Sequence, residues 1–182
     1  MSSKIPIILL TGQPGIGKTT IIKRLAELAG SRAGGFYTQE IREHGQRKGF
    51  EIVTFEGEKD YLALKSPQKP FTNGVAFKSY RINLDGINNI AVPSLLKARD
   101  KGKLVIADEI GPMEVCSTTF CETIMQLLDD EAVTMIGTIV RRPYRFADDV
   151  KRHPRVKLIE VTFKNRDGMA EEVWGEVGIN IF

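Results

Sequence analysis

The chain has 182 residues, the length of one domain, and its 42% of hydrophobic residues is enough for one sizeable core. Its formal net charge is only +3, so the sequence suits an anionic ligand but does not by itself indicate nucleic acid. The two cysteines, Cys116 and Cys121, match no common zinc spacing and are too few for a disulfide framework, which is typical of a reducing compartment.

An apolar run occupies residues 5–10, near the N-terminus. It is far too short to span a bilayer, and a glycine-rich loop follows it directly, so it does not have the pattern of a signal peptide. We therefore expect a soluble cytoplasmic protein without a membrane partner.

The first elements are a strand and a helix. Residues 4–11 are typical of a strand buried on both faces, and residues 18–29 carry apolar side chains at helical spacing until Gly30 ends the pattern. The following part is different, because short strand-like runs separated by polar turns indicate an antiparallel hairpin or meander. These runs lie at residues 35–38, 50–55 and 61–64.

The middle of the chain combines a loop, a strand and a helix. Residues 66–78 contain prolines and an Asn-Gly pair and predict a loop, and residues 80–84 predict a strand. Asp85 can cap a helix that Gly102 ends, with Pro93 at the start of its second part or at a kink.

Buried strands and helices alternate again in the second half. Helices are predicted at residues 117–130, where Thr119 and Glu122 have capping-box spacing, and at about residues 167–177. Strands alternating with helices imply a parallel sheet with right-handed crossovers. The apolar runs typical of buried strands lie at residues 103–108, 133–140 and 158–163.

A glycine-rich loop joins the first strand to the first helix and matches the pattern G-x-x-x-x-G-K-[ST] in full. Its glycines let backbone N–H groups point at phosphate oxygens, and the helix N-terminus adds partial positive charge. Lys18 can bridge the β- and γ-phosphates, which makes it a candidate catalytic residue, and the Thr19 hydroxyl can ligate Mg²⁺. The predicted phosphate-binding residues are Gly12, Gln13, Pro14, Gly15, Ile16, Gly17, Lys18 and Thr19.

This motif indicates the fold class. We expect an α/β fold, namely a P-loop NTPase three-layer sandwich with a mostly parallel sheet and an added antiparallel hairpin or meander. The prediction is a single P-loop NTPase domain over residues 1–182, with the antiparallel insertion at about residues 35–84.

Two carboxylates end the apolar strand that begins near residue 103. Asp108 fits the aspartate that associates with Mg²⁺ in P-loop proteins, usually through a water. Strand alternation would turn Glu109 to the other side, where it could lie beside a water in line with the γ-phosphate. A glutamate there suits general-base catalysis, which typically contributes roughly 10²–10⁴-fold in rate. The other interpretation, a strand that ends in a solvated acidic turn, is less compatible with a complete phosphate loop.

Polar and basic residues follow the next strand. Thr138 could sense the γ-phosphate or orient the water, or it could be an ordinary threonine of a sheet. Arg142, in a basic segment with Arg141 and Arg145, could supply charge to the transition state, or the segment could be a basic surface loop. Aromatic residues between these arginines also allow a single-stranded nucleic-acid site, the least favoured of the three.

Asn165 and Arg166 follow the last predicted strand, where P-loop folds often hold the nucleotide base. The sequence here is not the Asn-Lys-x-Asp guanine reader, because Arg166 stands where the lysine should be. Guanine selectivity is therefore not expected.

Six blocks of the sequence together resemble one family, the small nucleoside-triphosphatases first described in thermophiles, whose human relative is called cancer-related nucleoside-triphosphatase. The Gly-Phe-Tyr-Thr and Asp-Glu-Ile-Gly-x-Met-Glu blocks are its most specific features, and the resemblance covers nearly the whole chain. The blocks lie at residues 12–20, 35–42, 49–54, 108–114, 136–139 and 161–167.

The resemblance implies hydrolysis of ATP, GTP, CTP and UTP with little base selectivity. It implies a fold in which an extra strand lies between the two nucleotide motifs, and it makes Glu109 the catalytic base. Glu114 matches the family motif, but the resemblance gives it no role. The second nucleotide-binding segment would consist of Leu104, Val105, Ile106, Ala107, Asp108, Glu109, Ile110 and Gly111.

Three functions are compatible with these residues. The favoured one is a Mg²⁺-dependent nucleoside-triphosphatase in which Lys18 and the metal neutralise charge while Glu109 activates water. The alternative is a nucleotide or nucleoside kinase with a lid near Arg142, and the third is an NTP-dependent binding module. We expect a monomer whose ligands are nucleoside triphosphates, and we do not expect it to bind nucleic acid, because no strong basic stripe is present.

Overall fold

The computed structural model describes residues 7–178, and within them nine strands form one sheet. The strands are β1 (Ile7–Thr11), β2 (Ala33–Glu43), β3 (Gln46–Thr54), β4 (Lys59–Leu64), β5 (Gly74–Phe77), β6 (Tyr80–Asn83), β7 (Leu104–Ile110), β8 (Met135–Ile139) and β9 (Val156–Glu160). Their order across the sheet is β5-β6-β4-β3-β2-β7-β8-β1-β9. Of these strands, β3 and β6 run against the direction that the other seven share.

Helices connect the strands and cover both faces of the sheet. They are α1 (Lys18–Ala29), α2 (Leu84–Gly86), α3 (Val92–Asp100), α4 (Thr118–Asp129), α5 (Arg145–Lys151) and α6 (Met169–Val177). A π-helical segment (Ile87–Ala91) joins α2 to α3, and 3-10 turns occur at Gly30–Arg32 and Glu114–Cys116. Within residues 7–178, no helix has the length and apolar character needed to cross a membrane.

The parallel half of the sheet is buried on both faces, which explains why its strands are apolar at nearly every position. Successive side chains of β1 point to opposite faces: Ile7 and Leu9 pack under α3, α4 and α5, whereas Ile8 and Leu10 pack under α1 and α6. The two buried clusters lie on either side of one sheet. The predicted three-layer α/β sandwich is therefore confirmed.

The long strand β2 joins the parallel and antiparallel halves. Its first part, from Ala33 to Tyr37, pairs in parallel with β7, and from Phe36 onward it pairs with β3 in the antiparallel sense. Strands β4, β6 and β5 extend the antiparallel side, which confirms the predicted hairpin or meander. The predicted loop at residues 66–78 is wrong in its last part, because Gly74–Phe77 pairs with β6 as a short edge strand.

Strand β8 lies between β1 and β7 and pairs in parallel with both. One strand thus separates the strand that leads into the phosphate loop from the strand that ends in the two acids, as the resemblance implies. Because all three strands are parallel, their carboxyl ends meet at the same edge of the sheet. The candidate site residues are brought together at this edge.

Three helix predictions need correction. Asp85 is not an N-cap, because α2 begins at Leu84, and the Asp85 Oδ1 accepts a hydrogen bond from the Asn73 Nδ2 at 2.7 Å. The capping box at Thr119 and Glu122 is wrong, because Ser117 is the N-cap of α4 and its Oγ accepts a hydrogen bond from the Phe120 N–H at 3.0 Å. The position of a capping-box glutamate is occupied by Phe120, which is buried. Similarly, the segment with Arg145 is not all loop: α5 begins there, and the Asp148 side chain accepts from the Tyr144 N–H at 3.0 Å.

The ends of several elements also differ from the prediction. The first residues of the predicted strand at 4–11 lie outside the described part of the chain. Strand β9 begins two residues before the predicted 158 and ends at Glu160. The chain turns soon after Glu160 because the Asn165 Oδ1 accepts from the Thr162 N–H at 2.7 Å.

Candidate nucleotide site

The phosphate loop turns sharply between β1 and α1. Gly15 and Gly17 have φ angles of 78° and 110°, in the left-handed region that favours glycine. A Cβ at Gly12 would lie 2.7 Å from the carbonyl oxygen of Val161, so the loop packs directly against the backbone that follows β9. Glycine at these positions is required by backbone conformation and close approach.

The N-terminus of α1 faces the loop without a side-chain cap. Gly17 is the N-cap and makes no side-chain hydrogen bond, and the first turn holds no acidic residue. The first N–H groups of a helix and the positive end of its dipole attract anions. Lys18 adds a full positive charge, with its Nζ donating to the carbonyl oxygens of Gly12 at 3.3 Å and Gln13 at 3.4 Å.

Asp108 lies at the end of β7, next to the start of α1, and is 2% exposed. Its Oδ1 accepts a hydrogen bond from the Thr138 hydroxyl of β8, and the Thr19 hydroxyl lies close enough to interact with the same carboxyl. Its Oδ2 is buried and has no hydrogen-bond partner among residues 7–178. Burial raises the pKa of Asp108, and the two threonine hydroxyls and the charge of Lys18 oppose that rise.

These contacts locate two of the predicted residues. Thr19 and Asp108, the predicted metal-site pair, are in contact, and a buried carboxylate oxygen without a partner beside a hydroxyl suits a hard cation or one of its waters. Thr138 is fully buried and donates to Asp108. Its hydroxyl therefore fixes the position of the Asp108 carboxyl group.

Glu109 lies beside the phosphate loop as well. The register between β7 and β8 shifts after Ala107, where three steps along β7 match two along β8, so simple alternation does not describe this strand end. The Glu109 side chain lines a cavity of about 440 Å³ together with Gly15, Lys18 and Thr19. Burial raises the pKa of Glu109, the Lys18 charge lowers it, and the neighbouring Asp108 raises it.

A second cavity, of about 310 Å³, adjoins the first through Lys18 and Glu109. It is also lined by Gln13 and by Arg141 and Arg142, which follow β8. Arg141 forms an exposed ion pair with Glu160 at 3.2 Å, whereas no ion pair occurs for Arg142 among the described residues. The structure thus brings Arg142 to the same cavity as the proposed base, but Arg145 is in α5 and does not line it.

Asn165 and Arg166 have different surroundings. The side chain of Asn165 forms its hydrogen bonds within its own turn. Its Nδ2 donates to the Glu160 carbonyl oxygen at 2.9 Å, and its Oδ1 accepts from the Thr162 N–H. Arg166 lies over the Phe163 ring at 5.0 Å from the centroid and lines a cavity of about 570 Å³ beside α1. This cavity also includes Thr20, which is adjacent to Thr19.

The two predicted binding segments extend into the core. Ile16 is 4% exposed and packs with the cluster under α1 and α6, and residues 104–107 are fully buried within β7. Contact between these apolar residues and a nucleotide stays a prediction. The end of β7 and the following turn, at residues 108–111, are the part that reaches the carboxyl edge.

One buried acid has a neighbourhood that the sequence did not reveal. Glu114 belongs to the 3-10 turn after β7 and is 5% exposed. A Cβ built at Gly111 would lie 2.8 Å from Oε2 of Glu114 and 3.2 Å from Oε1 of Glu109. The only available signal was that the family motif contains both glutamates, and the spacing of five does not show that the turn folds one beside the other.

Comparison with known proteins finds relatives along nearly the whole chain. The family model described as NTPase matches residues 7–174. The nucleoside-triphosphatase THEP1 of Thermotoga petrophila is 42% identical over 91% of this chain and 89% of its own length. The human cancer-related nucleoside-triphosphatase is 31% identical over 91% and 93%.

A solved structure shows the same fold. The crystal structure of THEP1 from Aquifex aeolicus superposes with a TM-score of 0.82 at 35% identity, covering 94% of this chain and 98% of that one. The family match spans nearly all of the described residues, and the phosphate loop and acidic strand end lie within it. The chain therefore belongs to this family of nucleoside-triphosphatases.

Proposed function

We propose that this protein hydrolyses ATP, GTP, CTP and UTP to the diphosphate and phosphate with Mg²⁺ and with little selectivity for the base. The observation that carries the proposal is the meeting of Lys18, Thr19, Asp108 and Glu109 at one edge of the sheet, around two adjoining cavities. Its relatives are named nucleoside-triphosphatases, which supports the same reaction.

The phosphate loop would bind the triphosphate. The uncapped N-terminus of α1 and the backbone N–H groups of the glycine-rich loop would attract the β- and γ-phosphates. Lys18 is close enough to the loop carbonyls to move onto the phosphates while staying over the same turn. Its positive charge then faces the oxygens on which negative charge develops in the transition state.

The residues present fit a magnesium ion. The hydroxyl of Thr19 and the unpartnered Oδ2 of Asp108 would hold it, directly or through a water, and Thr138 would keep the aspartate in place. When bound, the ion neutralises negative charge on the β- and γ-phosphate oxygens. The need for such a charge is consistent with a buried carboxyl whose second oxygen is otherwise unsatisfied.

Glu109 acts as the general base. It takes one proton from a water whose oxygen attacks the γ-phosphorus, and the bond from that phosphorus to the β–γ bridging oxygen breaks. The bridging oxygen keeps the electron pair and leaves with the nucleoside diphosphate, so the products are the diphosphate, phosphate and a proton. Arg142, which lines the same cavity, supplies positive charge to the transferred group.

The nucleotide base would be held by stacking on its face and by positive charge. Few side chains are placed to form hydrogen bonds with its edges. Arg166 and Phe163 stack on one another beside the cavity next to α1, and Asn165 is engaged with its own backbone. Stacking on a guanidinium or aromatic plane tolerates every base, since each base has a π-face. We therefore propose low base selectivity, with Arg166 as the contact residue.

We further propose that residues 1–182 act as a single domain and as a monomer in the cytoplasm, without nucleic acid or a membrane as partner. The continuous sheet supports one domain, because the antiparallel half hydrogen-bonds directly to the parallel half through β2. The small net charge of +3 supports the absence of a nucleic-acid partner. No observation favours a second substrate in place of water.

The test is phosphate release from each of the four triphosphates by the purified protein, with Mg²⁺ or with a chelator. We expect release from all four at rates within about tenfold of one another, and loss of release when the metal is removed. Turnover that appears only when an acceptor alcohol, a nucleotide or RNA is added would contradict the proposal.

A further inference from the structure

The hairpin formed by β2 and β3 projects beyond the carboxyl edge of the parallel sheet. The parallel pairing of β2 with β7 ends where Tyr37 lies opposite Asp108, but residues 38–43 continue the strand and stay paired with β3 as far as Gln46. At about 3.3 Å per residue, this continuation carries the hairpin roughly 20 Å past that point. It therefore overhangs the edge where the phosphate loop and the acidic strand end meet.

The projecting hairpin forms one wall of the cavity of about 440 Å³ that the phosphate loop lines from the other side. Lys18 and Glu109 lie in the wall on the loop side. The hairpin residues that line the cavity are Thr38, Gln39, Glu40, Arg47 and Phe50. Arg47 is the cation among these five, so an anion bound in this cavity lies between Lys18 and a guanidinium group.

Three side chains hold the guanidinium of Arg47. Its Nη2 forms an ion pair with Glu40, it lies over the Phe50 ring at 5.4 Å from the centroid, and the Tyr80 hydroxyl lies close enough to interact with it. The Phe50 and Tyr80 rings also pack against each other, with 5.6 Å between their centroids. The guanidinium is thus oriented before a ligand arrives, which lowers the entropy lost on binding. Since 43% of the side chain is exposed, it remains accessible from the cavity.

The carboxylate that pairs with Arg47 is shared with a second arginine. Glu40 also pairs with Nη2 of Arg42 at 2.6 Å, and a register shift after Ile41 places Arg42 directly opposite Arg47. Burial raises the pKa of Glu40, but the hydrogen bonds from the two arginines outweigh it, so the pKa is lowered and the acid is ionised. Two guanidinium groups on one carboxylate leave one positive charge uncompensated, and like charges opposite each other on neighbouring strands are destabilising. An anion at this place would relieve that repulsion.

We propose that Arg47 binds the terminal phosphate of the nucleoside triphosphate from the hairpin side of the cavity, and that this contact makes the site select triphosphates over diphosphates. The inference rests on the hydrolytic function proposed above. The planar guanidinium can donate two parallel hydrogen bonds to phosphate oxygens. Arg47 shares its cavity with Glu109, the proposed base, and therefore faces the γ-phosphate, whereas Lys18 serves both the β- and γ-phosphates from the loop. A diphosphate lacks the group that Arg47 binds.

The first test compares the binding of nucleotides by Arg47→Gln and Arg42→Gln. Both changes remove one guanidinium from Glu40, but Arg42 is directed to the hairpin turn, where its Nη1 donates to the Gly45 carbonyl oxygen at 3.2 Å. For Arg47→Gln we expect the affinity for a non-hydrolysable ATP analogue with Mg²⁺ to fall roughly 10- to 100-fold, because hydrogen bonds to a charged group are lost. Its affinity for ADP should stay within about threefold of the parent value.

The control variant Arg42→Gln should keep both affinities within about threefold, because it loses only a surface ion pair. Calorimetric titration of the three proteins with both nucleotides measures the preference for the triphosphate directly. Steady-state hydrolysis adds a second readout. A contact already made in the ground state raises KM in Arg47→Gln and leaves kcat within about threefold of the parent value.

A purely structural role for Arg47 predicts different results. Equal losses of affinity for ADP and for the ATP analogue in Arg47→Gln would overturn the proposal, as would parent-like affinities or the same loss of preference in Arg42→Gln. Should Arg47→Gln not fold, Arg47→Lys makes the same comparison. Its ammonium keeps the charge but not the two parallel donors, so the preference for the triphosphate should fall at least about threefold, and an unchanged preference would overturn the proposal.

The parent protein, assayed in the same preparations, separates this inference from the function beneath it. Phosphate release by the parent with Mg²⁺, together with an unchanged nucleotide preference in Arg47→Gln, would overturn only the role of Arg47. A parent that releases no phosphate would instead overturn the hydrolytic function.

Discussion

Glu109 is the proposed general base, so turnover should depend most on this residue. It lies beside Lys18 in both cavities, and its pKa is raised by burial and by Asp108 but lowered by Lys18, so a carboxylate with increased basicity faces the phosphate loop. For Glu109→Gln we expect kcat to fall by about 10²–10⁴-fold, because the amide cannot accept the proton of water. Phosphate release and nucleotide titration would measure turnover and binding separately.

Binding of the triphosphate should be retained in that variant, since glutamine changes neither the loop nor α1. The matched control is Glu122→Gln on α4, which is exposed and far from any proposed role. Hydrolysis of ATP by Glu109→Gln at the parent rate would show that another group activates the water.

For Lys18 we propose a different role at the same site. Its ammonium group lies over the loop carbonyls of Gly12 and Gln13, where it can contact the phosphates in both the ground state and the transition state. Lys18→Ala should therefore weaken triphosphate binding and turnover together, each by at least about tenfold. Calorimetric titration with a non-hydrolysable triphosphate is the direct measurement, and unchanged affinity would remove Lys18 from the site.

At the scale of an element, the start of α4 depends on Ser117. Its Oγ caps the helix by accepting from Phe120, and its hydroxyl donates to Asn88 in the π-helical segment. Ser117→Ala should lower the free energy of unfolding by about 0.5–2 kcal/mol, because an N-cap and a buried hydrogen bond are lost. Urea unfolding would measure this change.

The control for this prediction is Thr119→Ala, at the position that the sequence pattern first suggested. Thr119 is exposed, so its replacement should change stability by less than about 0.5 kcal/mol. A larger loss in Thr119→Ala than in Ser117→Ala would restore the capping box and contradict the structural assignment.

The elements that the sequence predicted well are those with strong periodicity. The apolar strands β1, β7 and β8 and the amphipathic helix α1 are recognisable because burial on one or both faces dictates their patterns. The short strand β5 was missed, because its four residues sit among prolines and glycine that indicate a loop. Helix α5 was missed for a similar reason, since Ala147 and Val150 alone are too few to give a helical period.

In the candidate site, too, the sequence predicted some features and missed others. The phosphate loop and the Asp108–Glu109 pair follow local patterns whose chemistry can be read directly. The contact of Thr138 with Asp108 and the approach of both Glu109 and Glu114 to Gly111 depend on strand register and on a turn. Such neighbours are set by packing across the sheet edge and have no signature in the order of residues.

For the whole molecule, Glu114 makes stability depend on pH. Its pKa is about 8 in the folded protein and near the ordinary 4.5 in the unfolded chain, so the folded state binds more protons between these values. The stability of the parent relative to Glu114→Gln is therefore greatest below the unfolded value and is lost as the pH rises toward 8. We expect the difference to change by up to about 1.4 kcal/mol per pH unit in that window.

Urea unfolding of the parent and of Glu114→Gln at several pH values from about 5 to about 8 would measure this difference. Glutamine should become progressively more stabilising relative to glutamate as the pH rises. A difference that stays constant with pH would mean that Glu114 has the same charge in the folded and unfolded states.

The topology of the sheet brings all these groups to one edge. Because β8 separates β1 from β7, the phosphate loop and the two acids are two strands apart, and the 310 Å³ cavity opens between them. The antiparallel half adds a second wall, since Thr38, Arg47 and Phe50 line the 440 Å³ cavity opposite the loop. The central claim is that a metal-bound triphosphate occupies this cleft.

A crystal structure with Mg²⁺ and a non-hydrolysable triphosphate tests this claim most directly. We expect the β- and γ-phosphates against the amides of residues 12–19, the metal beside Thr19 and Asp108, and a water between the Glu109 carboxylate and the γ-phosphorus. A triphosphate bound elsewhere, or a γ-phosphate on the far side of the loop from Glu109, would contradict it.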